Sequence, residues 1–487
     1  MKRGKKLFVL MAVLLALLGG TYVMKQINFE GEEPEETEAA EEVVIFAATE
    51  EEITQIAWTL GDVTLTFTQT EEGWEYLEDE NFPVDNDMMV NVLAKLEKLS
   101  STKTIENAAD LAEYGLDEPV VKINVTTGKN SEILIGDKSA LGGCYASLGD
   151  GNVYLIEEAV KNMFSKELYD LVLEEEIPDM STVLEIGAKT DTSELSIIYR
   201  EEAGITYSDE YVWYWKNGEN YLALDNELTE SLLETISGIS WEECVNYHAD
   251  VEELNEYGLS TPVLTLNVSY VESTQVDTGK KDDDGNVIYE TKEETKNFVL
   301  ELGSYSDDSC YAKLKDSKMV YLIDAVLVDT LMYTTYDSLR PDDVLLMTWD
   351  EVTGIDVILD GTTYTVTRES VESTDDDGNK TVSYIYKLED KEIEILDVLD
   401  MLVAMESTGS KDGITPERAE EIRFVLHRDS ENFPEVELAF YQYDSSSCLV
   451  SLNGESRLFV DRADVTDVVE AFTKMMLEED TETTVAQ

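Results

Sequence analysis

Histidine is almost missing from this sequence: His248 and His427 are the two present in 487 residues. Lying far apart along the chain, they leave imidazole-based acid–base and metal chemistry little to draw on. Proline (8) and cysteine (4) are also scarce, so neither a proline-rich spacer nor a dense disulfide framework organises the chain. Positive charge is in the greatest deficit, with 35 Lys and Arg against 106 Asp and Glu and a formal net charge of -71. An approaching polyphosphate is repelled and meets no offsetting basic stripe, which removes nucleic acid from the expected partners. No Gly-rich phosphate loop, Gly-x-Ser-x-Gly elbow or His-Glu-x-x-His helix occurs. Carboxylates are so abundant that no pair stands out as general acid and base. The sequence therefore nominates no catalytic, cofactor-binding or metal-ligating residue, and the expectation is a protein that is not an enzyme and holds no cofactor.

What is present supports a folded body. At 43 % apolar residues the chain can bury a core despite its acidity, and its length suggests about three domains. The start reads as a basic cytoplasmic tail, residues 1–6, followed by an uncharged run from Leu7 to Met24. Eighteen residues at about 1.5 Å per residue reach roughly 27 Å, close to a bilayer core of about 30 Å. Residues 7–24 are thus expected to form a transmembrane helix, with a cleaved signal peptide as the other reading. Basic residues before the run and acid after it place the N-terminus in the cytoplasm and the bulk outside, a single-pass cell-membrane protein. Eight glutamates between Glu30 and Glu42 make residues 25–50 an acidic, self-repelling linker.

Self-similarity dominates the remainder. Leu111-Ala-Glu-Tyr-Gly-Leu-Asp-Glu-Pro119 returns as Leu254-Asn-Glu-Tyr-Gly-Leu-Ser-Thr-Pro262. A short helix closed by a left-handed glycine, a leucine folding back and a proline that stops continuation accounts for that spelling. Alternating strands follow at Val121–Val125 and Leu264–Val268. Ile135-Gly136 then matches Leu302-Gly303, Cys144-Tyr-Ala matches Cys310-Tyr-Ala, and Val153-Tyr-Leu-Ile matches Val320-Tyr-Leu-Ile. A diverged third copy keeps Cys448-Leu-Val and Leu458-Phe-Val, loses the cap, and ends in an amphipathic helix from Asp464 to Met476. Each copy opens with paired strands leading to helices at Asn86–Leu99, Asn226–Ile239 and Ile393–Met405. The expectation is an α+β fold: a tandem repeat of mainly antiparallel sheet-plus-helix modules at 51–180, 181–340 and 341–478, placed after one N-terminal transmembrane helix, with a polar tail at 479–487.

Two acidic loops, Asp282–Asn286 and Asp375–Asn379, lack the ligand spacing of a calcium loop and lie between strand-like runs, so they are expected to be hairpin tips. Cys144, Cys310 and Cys448 recur at one strand position, as small buried core residues do, and are expected to be free thiols. Tyr114 and Tyr257, the best candidates for a repeated function, are better explained as cap-packing residues.

The Tyr-Gly-Leu-x-x-Pro motifs at Tyr114 and Tyr257, the strand end Ile135-Gly136 or Leu302-Gly303, the Val-Tyr-Leu-Ile strands and Tyr336-Asp-Ser-Leu-Arg340 resemble a bacterial family known as domain of unknown function 4340. The resemblance covers about Ile53 to Leu346, and the last third more weakly. It implies a membrane-anchored protein often encoded beside ABC-type transport or gliding-motility components. The expected function is a membrane-anchored extracytoplasmic binding or scaffold protein, an accessory of an ABC-type transport or envelope complex. A cell-wall or carbohydrate-binding protein is the alternative, and an envelope-polymer hydrolase the third reading.

Overall fold

The computed structural model describes residues 42–140, 142–201, 204–282, 285–374 and 380–484. The chain divides into two compact units, one ending at Leu173 and the other beginning at Glu174. The first contains an eight-stranded sheet (sheet one), and the second contains two nine-stranded sheets (sheets two and three); a small pair, Val43–Phe46 with Leu99–Ser101, completes the first unit. Every strand pairing in these sheets is antiparallel, required by the short connections where the strands are consecutive and found also where distant strands meet.

All three sheets are wired alike. A first meander (three strands, Gln55–Leu60, Val63–Gln69 and Trp74–Tyr76, in sheet one; four in each of the others) is followed by a helix that crosses one face, then by a short strand at the far edge, then by a second four-stranded meander. The opening strands of the two meanders pair at the centre: Gln55–Leu60 with Val121–Thr126, Val183–Lys189 with Leu264–Lys281, and Val352–Leu359 with Glu420–Arg428. Alternation drives this arrangement. In Val121–Thr126 every second residue is buried, and Ile56, Trp58, Val121, Ile123 and Val125 are at most 1 % exposed. Two helices cover the buried face of each sheet. Leu232 and Ile236 of Asn226–Ser237 join Leu327, Val328 and Leu331 of Ala325–Tyr333 over sheet two, while Val398, Leu399 and Leu402 join Val465, Val468 and Phe472 over sheet three. Each such side chain contributes roughly 1.5–3 kcal/mol by leaving water.

The expected α+β class, led by a transmembrane helix, is corrected by this architecture. The described chain is mostly antiparallel sheet, with helices that are few and mostly short beside eight- and nine-stranded sheets. The amphipathic runs do form helices, but the alternating strands between them are longer and more numerous than the repeat motifs alone suggested. Among the described residues no helix is long and apolar enough to cross a membrane; the expected span, residues 7–24, lies outside them, as do residues 1–6 and most of the acidic linker. The last helix, Arg462–Thr484, runs on through most of the stretch expected as a polar tail, whose glutamates are good helix formers.

The repeated cap is as its sequence implies. Gly115 and Gly258 take φ 67° and 73°, and the N–H groups of Leu116 and Leu259 donate back to Leu111 O and Leu254 O at 3.1 and 2.8 Å. Both leucines are buried. The matching strand-end glycines receive the cap: a Cβ on Gly136 or Gly303 would stand 2.2 Å from the carbonyl oxygen of Tyr114 or Tyr257. Beside each glycine the strand register slips, between Ile135 and Lys138 and between Leu302 and Tyr305, the extra residue of a β-bulge.

Candidate functional site

The residues that drew attention in the sequence take structural places. Tyr114 packs edge-on against Tyr145 at 5.0 Å between ring centroids, and Tyr257 packs on Tyr311 at 4.8 Å. Cys144, Cys244, Cys310 and Cys448 are free and buried. The two histidines lie apart, His248 in the bend that follows the strand Glu243–Asn246 and His427 within the strand Glu420–Arg428. His248 Nε2 sits 3.2 Å from Lys318 Nζ, whereas His427 on sheet three lies between Asp356 at 2.9 Å and Glu435 at 3.2 Å. Among the described residues no group of three or more His, Cys, Asp or Glu is placed to hold a metal ion. Leu264–Lys281 and Val287–Ser306 form a hairpin whose outer half is exposed on both faces, with Asp282 and Asn286 of the first acidic loop bonded at its end; Asp283 and Asp284 lie outside the described residues. The second acidic loop, Asp375–Asn379, lies outside the described residues.

The feature with the geometry of a binding site was not singled out by any sequence motif. It is a cavity of about 440 Å³ in the second unit. One wall is the connection between Glu194–Tyr199 and Trp213–Asn217, where Tyr207 and Tyr211 are buried. Tyr207 is tied at both ends: its hydroxyl accepts the Leu346 N–H at 2.9 Å, and its carbonyl accepts Arg428 Nη1 at 2.7 Å. The second wall is the strand Asn220–Ala223, the outermost of sheet two. The third is the turn between Ser447–Leu452 and Glu455–Asp461 of sheet three, with Asn453, Glu455 and Arg457. Tyr336 and Asp343 close it from the connection between the sheets.

Its electrostatics follow from that placement. Burial pushes the Tyr207 phenol up to about 12 and raises Tyr211 further, so both remain neutral donors. Burial also raises Tyr336, against the pull of Arg457 and Arg340. The Asp343 carboxyl is raised by partial burial and then by the neighbouring Asp225 and Asp342. Arg457 has its Nη1 3.2 Å from Asp412, and its guanidinium lies 5.1 Å over the Tyr336 ring. The arrangement is an aromatic-walled recess with three carboxylates, Glu219, Asp343 and Glu455, against one cation, Arg457. A sequence signal existed in the spacing of Tyr207 and Tyr211, but Leu346 and Arg428, which hold Tyr207 in place, lie more than 100 positions further on.

Comparison with known proteins gives a family and nothing finer. The family described as a domain of unknown function, DUF4340, matches residues 74–193 and 213–412, about two thirds of the chain. No curated protein and no solved structure matches. Tyr207, Tyr211 and Arg457 fall outside the matched segments, whereas Asn220, Tyr221, Tyr336 and Asp343 fall within them.

Proposed function

We propose, for a chain that belongs to the DUF4340 family, a binding and scaffolding role without catalysis, in which the repeated sheets present edges and the cavity to a protein partner. The observation that carries this reading is the threefold construction of one sheet pattern whose outermost strands are short, with a recess opening on one of them. Repetition multiplies docking edges without requiring a new fold for each. The partner expected from the family resemblance is a component of an ABC-type transport or envelope assembly, and placement of the body outside the cytoplasm is supported by the sequence alone. Photocrosslinking in intact cells from position 221, beside the cavity, is expected to give a discrete protein adduct, while position 90 on the first unit gives none. An adduct pattern identical at both positions, or no adduct at either, would overturn the reading.

The carbohydrate-binding alternative is supported by the tyrosines and by Asn220 and Asn453 along the cavity. It is weakened by the tryptophans: Trp58, Trp74 and Trp213 are buried and Trp215, Trp241 and Trp349 half-buried, so no flat indole platform faces solvent. Sedimentation of the protein with isolated cell-wall polymer separates the two readings.

A further inference from the structure

The cavity's second wall carries more information than its composition. Side chains of a strand alternate between faces, so a recess touching only one face would be lined by every second residue. Here Glu219 to Ala223 line it consecutively. The recess therefore meets the strand along its edge, where backbone N–H and C=O groups point outward. Asn220–Ala223 is the last strand on that side of sheet two and is paired only with Trp213–Asn217 among the described residues. An uncovered edge of this kind accepts an added strand through main-chain hydrogen bonds.

The charges and rings around the edge select what such a strand would carry. Glu219, Asp343 and Glu455 line the cavity against one cation, Arg457, which already faces Asp412. The seat of Arg457 over Tyr336 shows that a guanidinium is accommodated on an aromatic face in this recess. Tyr221, 39 % exposed on the edge strand, offers a further ring to an incoming group. The net charge of -71 favours a cationic partner at longer range.

From this geometry we propose that the recess receives a lysine or arginine side chain from an extended segment of a partner protein, and that the segment's backbone pairs with the edge of Asn220–Ala223. The proposal rests on the scaffolding reading and names its partner's chemistry. The main chain supplies affinity, and the aromatic and acidic lining supplies selection for the cation.

The test uses the full chain and three fluorescent heptapeptides of alternating Thr and Val whose central residue is lysine, norleucine or glutamate. The lysine peptide is expected to bind about tenfold more tightly than the norleucine peptide, a difference of about 1.4 kcal/mol within the range of desolvated cation–π and charge contacts. The glutamate peptide is expected to bind more weakly still. Raising the salt concentration should narrow the gap. Asp343→Asn and, separately, Tyr221→Ala should each reduce the lysine preference while leaving the melting temperature unchanged. A lysine peptide with N-methylated backbone amides should lose binding. Equal affinities, preference for glutamate at Arg457, tolerance of N-methylation, or no binding of the lysine peptide would each overturn the inference. If crosslinking from position 221 still captures a partner in the Asp343→Asn protein, the scaffolding reading survives the failure of this one.

Discussion

Sheets one and two share a corner that sheet three builds differently, and three features change there together. In the first two, a Tyr-Gly-Leu-x-x-Pro cap lies on a strand-end glycine beside a β-bulge. In sheet three the pairing Phe440 with Val450 and Gln442 with Cys448 proceeds without a slip. The residue after Phe440, at the place of Gly136 and Gly303, is Tyr441, and Arg423 Nη2 donates to its hydroxyl at 3.3 Å. No cap precedes the strand Glu420–Arg428. Cap, glycine and bulge therefore form one structural unit: the tyrosine carbonyl needs the space that a Cβ would fill, and the extra residue lets the strand turn to provide it. Where the cap is gone, a side chain and its ion pairs (Arg423 with Glu420 and Glu437) occupy the corner.

The strongest test of that comparison is Gly303→Ala. Gly303 has an ordinary φ, so the substitution strains no dihedral; its effect arises from a Cβ 2.2 Å from the Tyr257 carbonyl oxygen. Backbone cannot yield as a flexible side chain can, and overpacking of this kind costs about 3 kcal/mol. Hydrogen exchange should show the amides from Leu254 to Leu264 losing protection, with a lower melting transition for the second unit. The matched change in sheet three, Tyr441→Ala, removes a side chain that fills no cap site and should cost about 1 kcal/mol, the scale of one hydrogen bond and its packing. Equal losses from the two variants would break the claim that the corners are built differently.

What the sheets share is tested at their equivalent cysteines. Burial pushes the Cys310 and Cys448 thiols up to about 11, and raises Cys144. Between the ordinary thiol value of 9.0 and about 11, the folded chain keeps protons that the unfolded chain releases. Their contribution to stability is therefore complete below pH 9 and is lost as the pH climbs towards 11. The urea midpoint should fall over that window, and by less in a Cys310→Ala, Cys448→Ala variant. At pH 8.5 the folded protein should resist alkylation at all four cysteines. Rapid labelling of Cys448 alone would mean that the sheet lacking its cap is also open beneath.

The cap was legible in the sequence because its chemistry is local: a glycine, a leucine and a proline within six residues dictate their own geometry. The duplicate strands were legible because alternation and a recurring cysteine kept register over about sixty residues. Three helices too were placed to within a few positions by their amphipathic periods, while the last, expected to end at Met476, runs on to Thr484. The balance of the fold was misjudged because short motifs do not reveal that four strands precede each helix in sheets two and three. The compensation at Tyr441 was hidden because a lost glycine means nothing until the strand beside it is seen to run without its bulge. The cavity was hidden for a different reason: Tyr207, Asn220, Asp343 and Arg457 come from four segments spread over 250 positions, each unremarkable alone. Distance in sequence, rather than weakness of signal, separated the legible from the illegible.

The smallest effect is expected where sheet two departs most visibly from sheet one, in its long hairpin. Beyond the pairing of Tyr270 with Val183 the two strands pair only with each other among the described residues, from Glu272 with Glu294 outward. Their described residues from Ser273 to Thr295 are exposed, apart from half-buried Thr278. A lone two-stranded ribbon is marginal in water and adds little to the sheet from which it projects. Replacing Glu272–Glu294 by Asn-Gly joins Val271 to Thr295, already partners across the ladder, through a two-residue turn of the preferred type. The melting temperature should then move by less than about 2 °C, the shift that about 0.5 kcal/mol produces in a unit of this size. A calorimetric loss approaching that of Gly303→Ala would show that the ribbon takes part in the fold as the cap does, and the contrast between a corner that must fit and an arm that need not would be lost.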